Sequence, residues 1–251
     1  MSDTALRLYP LPVREIPSGA IYEDIELPPL QRRNPARPYV ILNAVAAVDG
    51  KATIKGKSSG LGSETDRRTM RTLRSKVDAV LVGATTVRAE RLSLGLDEFS
   101  SGSEPLAVIV TRTGEVPLET NLIGGERQEV LVIIAQDTPE DNINRLGERA
   151  SVLRVPASPW GGVVLEEALE ALRTERGVDL VLVEGGPSLN HSLISSSLAD
   201  ELFITISPKL LGGTSNETLT ILDGPAAAPI DVKLLSAHLA DSELFLRYTL
   251  P

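Results

Sequence analysis

The sequence contains no cysteine. Disulfides, thiolate metal sites and a cysteine nucleophile are therefore excluded, and the absence is compatible with a reducing cytosol. Histidine is almost as scarce. His191 and His238 are the only two, far apart and outside any metal-ligand spacing, so each reads as a structural or surface residue and no metal is expected. No apolar run approaches the ~18 residues that a membrane span requires. The N-terminus, MSDTALRLYPLP, lacks the charged start and apolar core of a secretory signal. A cytoplasmic protein without a membrane partner is expected. Positive charge is also in deficit: 25 Lys and Arg against 34 Asp and Glu leave a net charge of −9. That argues against nonspecific nucleic-acid binding, while leaving room for a local basic pocket that takes a small anion.

What is present fits a chain able to bury a sizeable core. Its 251 residues, 42% of them apolar, suffice for one large domain or two small ones. Pro10, Pro12, Pro17, Pro28, Pro29 and Pro35 break up residues 1–37, where no periodicity is sustained. The expectation is an extended arm with little regular structure, packed through Leu6, Leu8, Ile16, Ile21 and Ile25 on the body or on a partner subunit. Residues 38–251 show neither repeat nor low-complexity linker and read as one domain.

Within that domain the apolar runs Tyr39–Val48, Ala79–Val82, Leu106–Val110, Val130–Ala135, Val152–Val155 and Leu180–Val183 read as buried strands. Helical patterns lie between several of them. Ser63 and Asp66 form an S-x-x-D capping box for a helix with Met70, Leu73 and Val77 as its stripe. Asp137 or Thr138 with Pro139 starts a helix running to about Arg149. Another runs from Gly162 to Arg176 and ends at Gly177. The tail differs: Glu201–Ser207, Asp231–His238 and Glu243–Thr249 read as strands, the last two pairing antiparallel at one end of the sheet. The fold class is α/β, an open and mostly parallel twisted sheet with helices on both faces and antiparallel C-terminal strands.

The stretch Asp179–Leu189, DLVLVEGGPSL, organises the rest. A buried strand ends in Glu184, Gly185 and Gly186 turn tightly, and Pro187 suits the first turn of a helix. Free N–H groups and a helix dipole at a sheet edge suit a phosphate, although an ordinary strand–helix connection gives the same pattern. Asn43, inside a buried strand, needs polar partners, either backbone or ligand. Asp49 stands at a strand's carboxyl end, where ligands of open α/β sheets gather, in a loop that also carries Lys51, Lys55 and Lys57. Arg67, Arg71 and Arg74 share a helix face that is either solvated or a guanidinium clamp for a phosphate.

Three blocks, LNAVAAVDGKAT, SETDRRTMRTLRSKVDAVLVGATTV and LVEGGPSLNHSLISSSLADELFITISPKLLGG, resemble those of the riboflavin-pathway pyrimidine reductases. This is the family of the C-terminal reductase domain of bifunctional deaminase-reductases, and the likeness covers about residues 39–249. It implies a dihydrofolate reductase-like fold, NADPH as cofactor and a phosphorylated ribosylaminopyrimidine as substrate. By that similarity Gly83, Thr85, Thr86 and Val87 line the cofactor, with Asn43 a further candidate contact from its place in the strand. Gly185, Gly186, Pro187 and Ser188 hold its pyrophosphate, and Thr111, Arg112 and Thr113 meet its 2′-phosphate. Asp49 and Glu184 match acidic pocket positions, which makes them the catalytic candidates, and Arg67 and Arg74 match arginines that contact the substrate's phosphate, which Lys51 in the Asp49 loop is also placed to meet. A homodimer is implied as well. One segment departs from the family: no Asp-Pro follows the G-x-x-T-V block, where Arg88 to Leu94 stand instead, with Arg91 the candidate for a missing arginine. Two other readings stay open, a reductase of another pterin-like compound such as dihydrofolate and a nucleotide-binding protein without catalysis.

Overall fold

The computed structural model describes residues 3–90, 93–96, 103–117, 128–159, 161–214, 218–225 and 228–251. Arg91 therefore lies outside the described residues. In chain order the elements begin with β1 (Thr4–Tyr9), β2 (Arg14–Pro17), β3 (Tyr39–Ala47), α1 (Glu64–Arg74), β4 (Ala79–Gly83), α2 (Ala84–Ala89) and β5 (Leu106–Val110). There follow β6 (Val130–Ala135), α3 (Glu140–Leu146), β7 (Ser151–Val155), α4 (Leu165–Arg176), β8 (Leu180–Val183) and α5 (Pro187–Ser195). The chain closes with β9 (Glu201–Ser207), β10 (Lys233–Ala240) and β11 (Glu243–Thr249). Two compact units result. Unit 1 gathers Met1–Pro28, Val40–Leu73 and Pro187–Pro251, and unit 2 gathers Pro29–Tyr39 and Arg74–Gly186. No helix among the described residues is long and apolar enough to cross a membrane.

In unit 2 the strand order is β8-β4-β5-β6-β7 and every ladder is parallel. All six residues of β6 are buried, as are four of the five in β4. The uninterrupted runs in the sequence thus mark strands covered on both faces, each buried Val, Leu or Ile contributing about 1.5–3 kcal/mol relative to exposure. Asp78, just before β4, ties its neighbours together. Its Oδ2 accepts the N–H groups of Asp179 (2.8 Å) and Leu180 (2.9 Å), and its carbonyl accepts that of Leu106 (2.8 Å). α4 starts at Leu165 rather than Gly162, because Gly161 (φ +96°) and Gly162 (φ +75°) are not helical. It buries Ala168, Leu169 and Leu172 and stops as expected at Gly177, whose φ of +66° turns the chain back so that its N–H reaches Leu172. α2 is capped by Gly83 with no side-chain cap, so the hydroxyls of Thr85 and Thr86 are not spent there.

Unit 1 is built on the order β2-β1-β10-β11-β9-β3. Only β3 and β9 run parallel; the other ladders are antiparallel. β10 and β11 pair antiparallel as the tail pattern implied, but they do not form the edge. The edge is residues 4–17, a β1–β2 hairpin that pairs with β10. The expectation of an arm with little regular structure is corrected here. Pro10 and Pro12 fall in the turn and Pro17 at the end of the outermost strand, where a missing N–H costs no ladder bond.

The patterning of this unit is inverted. In β9 the buried side chains are Glu201, Phe203, Thr205 and Ser207, while Leu202, Ile204 and Ile206 are half-exposed. In β11 Glu243, Phe245 and Arg247 are buried, and Leu244, Leu246 and Tyr248 are half-exposed. The buried charges are satisfied. Arg247 holds Glu201 bidentately (2.8 and 2.7 Å) and donates to the Glu26 carbonyl (2.9 Å). Ser63 gives its N–H (3.0 Å) and its hydroxyl (2.5 Å) to Glu243 and accepts the Asp66 N–H (3.3 Å). The helix cap at Ser63 therefore forms, with Glu243 supplying the reciprocal half expected of Asp66. Tyr22 packs edge-on against Phe203 (4.9 Å) and His238 (5.7 Å). Burial raises the Tyr22 phenol's pKa, with Asp66 adding to it. It lowers that of His238, helped by Arg7 and opposed by Asp24 and by a hydrogen bond with the Phe245 backbone.

Candidate active site

Parallel register brings three strand ends of unit 2 to one level. Leu81 pairs with Val183 and Gly83 with Val110, so the chain after β8, β4 and β5 emerges together. The Gly83 N–H donates to the Gly185 carbonyl (3.1 Å), joining two of the segments that the sequence singled out. Gly185 has φ +95°, and the Gly185–Gly186 peptide is cis. A Cβ on Gly186 would lie 2.9 Å from Thr86 Oγ1, whereas one on Gly83 would meet nothing within 4 Å. The result is a cradle of bare backbone with a hydroxyl beside it, the surface on which a pyrophosphate can approach closely. Thr85 is exposed and its hydroxyl accepts from Arg88 (3.1 Å). Val87 is buried at 1% exposure, so its side chain packs in the core.

The segment after β5 is more mixed. Thr111 is buried and its N–H continues the sheet to Ile133 (3.0 Å). Arg112 pairs with Asp137 (2.7 Å) in a largely exposed contact and reaches the Gly162 carbonyl (3.4 Å). Exposed pairs of this kind contribute about 0.2–1 kcal/mol, so Asp137 holds the guanidinium only weakly. The Thr113 hydroxyl accepts the Glu115 N–H (3.3 Å). Arg112 and Thr113 are thus accessible at this strand end, while Thr111 is turned inward.

Glu184 and Arg74 meet across 110 residues of sequence. Arg74 Nε and Nη2 donate to the two Glu184 oxygens at 2.7 and 2.6 Å, and Nη1 donates to the Gly95 carbonyl at 2.9 Å. The side chains are only 5% and 9% exposed. Burial pulls the guanidinium's pKa down, but the charge and hydrogen bonds of Glu184 outweigh it, and the net shift is upward. Arg74 is therefore not an open arginine on a solvated helix face. Removing one member of such a pair costs about 3–5 kcal/mol, because the other charge is left buried and unpaired.

Unit 1 holds the remaining candidates. Ala47 pairs with Ser207, which places Asp49 at the same strand end as residues 208–213. Asp49 Oδ2 accepts the N–H groups of Gly212 (2.7 Å) and Leu211 (3.0 Å). The Gly212 N–H foremost holds this exposed carboxyl below its usual range. An aspartate so held is a fixed negative charge and a poor proton donor. The Lys51 carbonyl accepts the Ala47 N–H (2.7 Å), which closes the turn at Asp49 and Gly50. Asn43 lies mid-strand beside Phe203 rather than at a strand end. Arg67 is paired with Glu64 (2.8 Å) on the surface. Pro187 opens α5, its carbonyl accepting the Asp223 N–H (3.1 Å), while the Ser188 hydroxyl lies 3.5 Å from the Asp223 carboxylate. A carboxylate beside that hydroxyl disfavours an anion there.

One residue of this group went unnoticed in the sequence. Lys209 donates to the Leu61 carbonyl and to the Ser207 hydroxyl (3.2 Å), while its own carbonyl accepts the Val48 N–H (3.0 Å). A lysine between a proline and Gly-Gly at a strand's end was the available signal.

The family model described as "RibD C-terminal domain" matches residues 38–245. The chain belongs to that family. Among its relatives in the RibD C-terminal domain family is the 2,5-diamino-6-ribosylamino-4(3H)-pyrimidinone 5′-phosphate reductase of Methanothermobacter thermautotrophicus. It is 30% identical over 217 residues, which cover 85% of this chain and 98% of that protein. The protein of the same name from Archaeoglobus fulgidus is 34% identical over 198 residues, 75% of this chain and 87% of that one. The crystal structure of a pyrimidine reductase-like protein from Corynebacterium diphtheriae superposes with a TM-score of 0.77 at 21% identity, covering 94% of this chain and 99% of that one. That likeness is one of fold, and the fold is the dihydrofolate reductase-like one expected.

Proposed function

We propose that this protein is an NADPH-dependent reductase that converts the ribosylamino group of a 5-amino-6-ribosylaminopyrimidine 5′-phosphate to ribitylamino, a step of riboflavin biosynthesis. The observation that carries the reading is the bare-backbone cradle at Gly83, Gly185 and Gly186, in a member of the RibD C-terminal domain family whose named relatives reduce such a compound. The cradle fits a dinucleotide: a Cβ would intrude at Gly186, space is open at Gly83, and Arg112 with Thr113 stands at the neighbouring strand end to take a 2′-phosphate. NADPH held by this backbone and by Arg112 would supply a hydride to C1′ of the ring-opened ribosylamine, with a proton going to the nitrogen, so that one NADPH and one proton would be consumed per product. Asp49, held ionised by backbone N–H groups, favours the cationic imine rather than delivering its proton. Lys51 and Arg67 serve the substrate's phosphate, Arg67 exchanging an exposed partner for it. Glu184 accepts from the sugar hydroxyls.

The inverted patterning of unit 1 supports a homodimer. Half-exposed Leu202, Ile204, Ile206, Leu244 and Leu246 line the sheet face that does not carry the buried charges, and an apolar face of this kind is what a second copy of the chain covers. Light scattering at micromolar concentration should give a dimer, and Ile204→Glu a monomer; a monomeric wild type would end this part of the reading. The protein is a cytoplasmic enzyme in this account. The direct test follows NADPH oxidation with the phosphorylated ribosylaminopyrimidine, with dihydrofolate alongside. Turnover of dihydrofolate alone would replace the substrate assignment, and turnover of neither would remove it.

A further inference from the structure

The structure assigns to Lys209 the part of a positioning residue: it ties the loop that follows β3 at both ends and so presets the groups that the loop carries. For its kinetic consequence the inference rests on the reductase reading; its structural part stands without it. Between β3 and α1 the chain forms no ladder beyond a tight turn in which Ile54 pairs with Lys57. Lys55 (φ +51°), Gly56 (φ +77°) and Gly60 (φ +91°) are left-handed, and residues 54–57 and 59–60 are exposed. Apolar burial therefore holds little of this loop, and its shape depends on where it is tied. The tie at its start is the Lys209 carbonyl, which accepts the Val48 N–H (3.0 Å). The tie at its end is the Lys209 ammonium, which donates to the carbonyl of the fully buried Leu61. Ser207, also fully buried, gives its hydroxyl to that same carbonyl (2.8 Å) and accepts from the ammonium (3.2 Å). One residue just past β9 thus closes the loop at Val48 and at Leu61.

What the loop carries gives this closure its use. Lys51 lies inside it, and Leu219 holds the next two residues, accepting the Ala52 N–H (2.6 Å) and giving its own N–H to the Thr53 hydroxyl (2.8 Å). Just beyond the tie at Leu61, Ser63 caps α1 and the Gly62 carbonyl accepts from Arg67 Nη1 (3.5 Å). Lys51 and Arg67, the two groups given to the substrate's phosphate, therefore flank Leu61 in the chain. A loop closed before the substrate arrives has already lost freedom that binding would otherwise have to remove. An ammonium suits the tie, since its hydrogens reach two acceptors from a flexible stem. Lys209→Met keeps the length of that stem and donates nothing, so it opens the loop at Leu61 and leaves the backbone bond at Val48 in place.

The first measurement is hydrogen exchange, read by mass spectrometry on the full chain for wild type, Lys209→Met and Lys209→Arg. Residues 50–62 should exchange about 10-fold or more faster in Lys209→Met, with β3 and β9 unchanged, and Lys209→Arg should recover most of the protection. Unchanged exchange over residues 50–62 overturns the inference. The second measurement is turnover of the phosphorylated ribosylaminopyrimidine with NADPH. In Lys209→Met kcat/KM should fall about 10-fold with NADPH affinity intact, and the loss should shrink to about twofold or less in a Lys51→Ala/Arg67→Ala background. An equal loss in that background would mean that Lys209 acts on the substrate by itself, which overturns the inference as well. If Lys209→Met does not fold, Lys209→Gln, which keeps a donor without the charge or the reach, must show the same local rise in exchange, and its absence has the same consequence. If the wild type does not turn over the ribosylaminopyrimidine, the functional reading has failed, and hydrogen exchange still decides whether Lys209 closes the loop.

Discussion

Unit 2 is parallel, apolar through its strands and open at their ends, whereas unit 1 is largely antiparallel and keeps its charges inside. In unit 2 the candidate chemistry is backbone: Gly83, Gly185 and Gly186 offer N–H and carbonyl groups whose placement follows from strand register. In unit 1 it is side chain and charge: Asp49 on the turn at Leu211 and Gly212, Lys209 on Leu61, Glu243 on Ser63. A surface made of backbone suits a ligand common to many enzymes, because its shape survives substitution at most positions. A surface made of side chains suits what is particular to one substrate.

The largest expected effect breaks the backbone side of this comparison. Gly186→Val should abolish NADPH binding, measured by titration calorimetry, with the far-ultraviolet circular dichroism unchanged, since the new Cβ meets Thr86 Oγ1 at 2.9 Å. Unchanged affinity would reduce the Gly-Gly turn to a structural connection. On the charged side, Asp49→Asn keeps an acceptor for Leu211 and Gly212 and removes only the charge. Turnover should fall about 100-fold with NADPH affinity nearly intact. Activity within about threefold of wild type would leave Asp49 with a purely structural part.

Arg112→Ala sharpens the comparison, because it tests a side-chain contribution beside the backbone cradle of unit 2. NADPH affinity should fall by about 10-fold or more, the scale of a charged hydrogen bond, with NADH hardly affected. Wild-type protein that binds both cofactors equally would remove this assignment. The smallest effect concerns unit 1's interior. His238 sits among Tyr22, Arg7, Asp24 and the Phe245 backbone, and burial holds it below its usual 6.5. The unfolded chain therefore takes up the proton first, so the stability owed to neutral His238 is complete above about pH 6.5 and is lost as pH falls through that value toward the lower folded pKa. The midpoint of thermal unfolding should drop between pH 7.5 and 5.5 with a slope that His238→Leu flattens. An identical slope in the variant would show that other groups carry it.

The strands of unit 2 were legible because both of their faces are covered, which leaves continuous apolar runs such as VLVIIA at Val130–Ala135. β9 and β11 were legible too, with their observed ends, since alternation marks a strand whichever face is buried. Which face goes inside was not, because Glu201 is stabilised by Arg247, a partner 46 residues away that no local pattern reveals. The N-terminal hairpin was missed for a different reason: prolines at its turn and outer edge read as breaks, yet they fall where the ladder needs no donor. At the candidate site the glycines and Asp49 stood out as residue types at strand ends. What did not stand out was who holds whom. Arg74 with Glu184 and Asp49 with Gly212 are separated by 110 and 163 residues, and such pairings are set by topology. α1 also carried a misleading cue, since the seven-residue spacing of Arg67 and Arg74 says nothing of how differently the two are buried.

Asp78 acts as a datum. By gripping Asp179 and Leu180 from the start of β4, it sets the zero from which β8 is laid out, and the four residues of that strand then carry Glu184 and the Gly-Gly turn to a fixed height about 13 Å away. An error introduced at the zero is transmitted undiminished to the far mark. A substitution at Asp78 would thus resemble, in its kinetics, a lesion among residues it never touches, and a survey of functional positions in this protein should look for them at the amino ends of the strands as well as at the carboxyl ends.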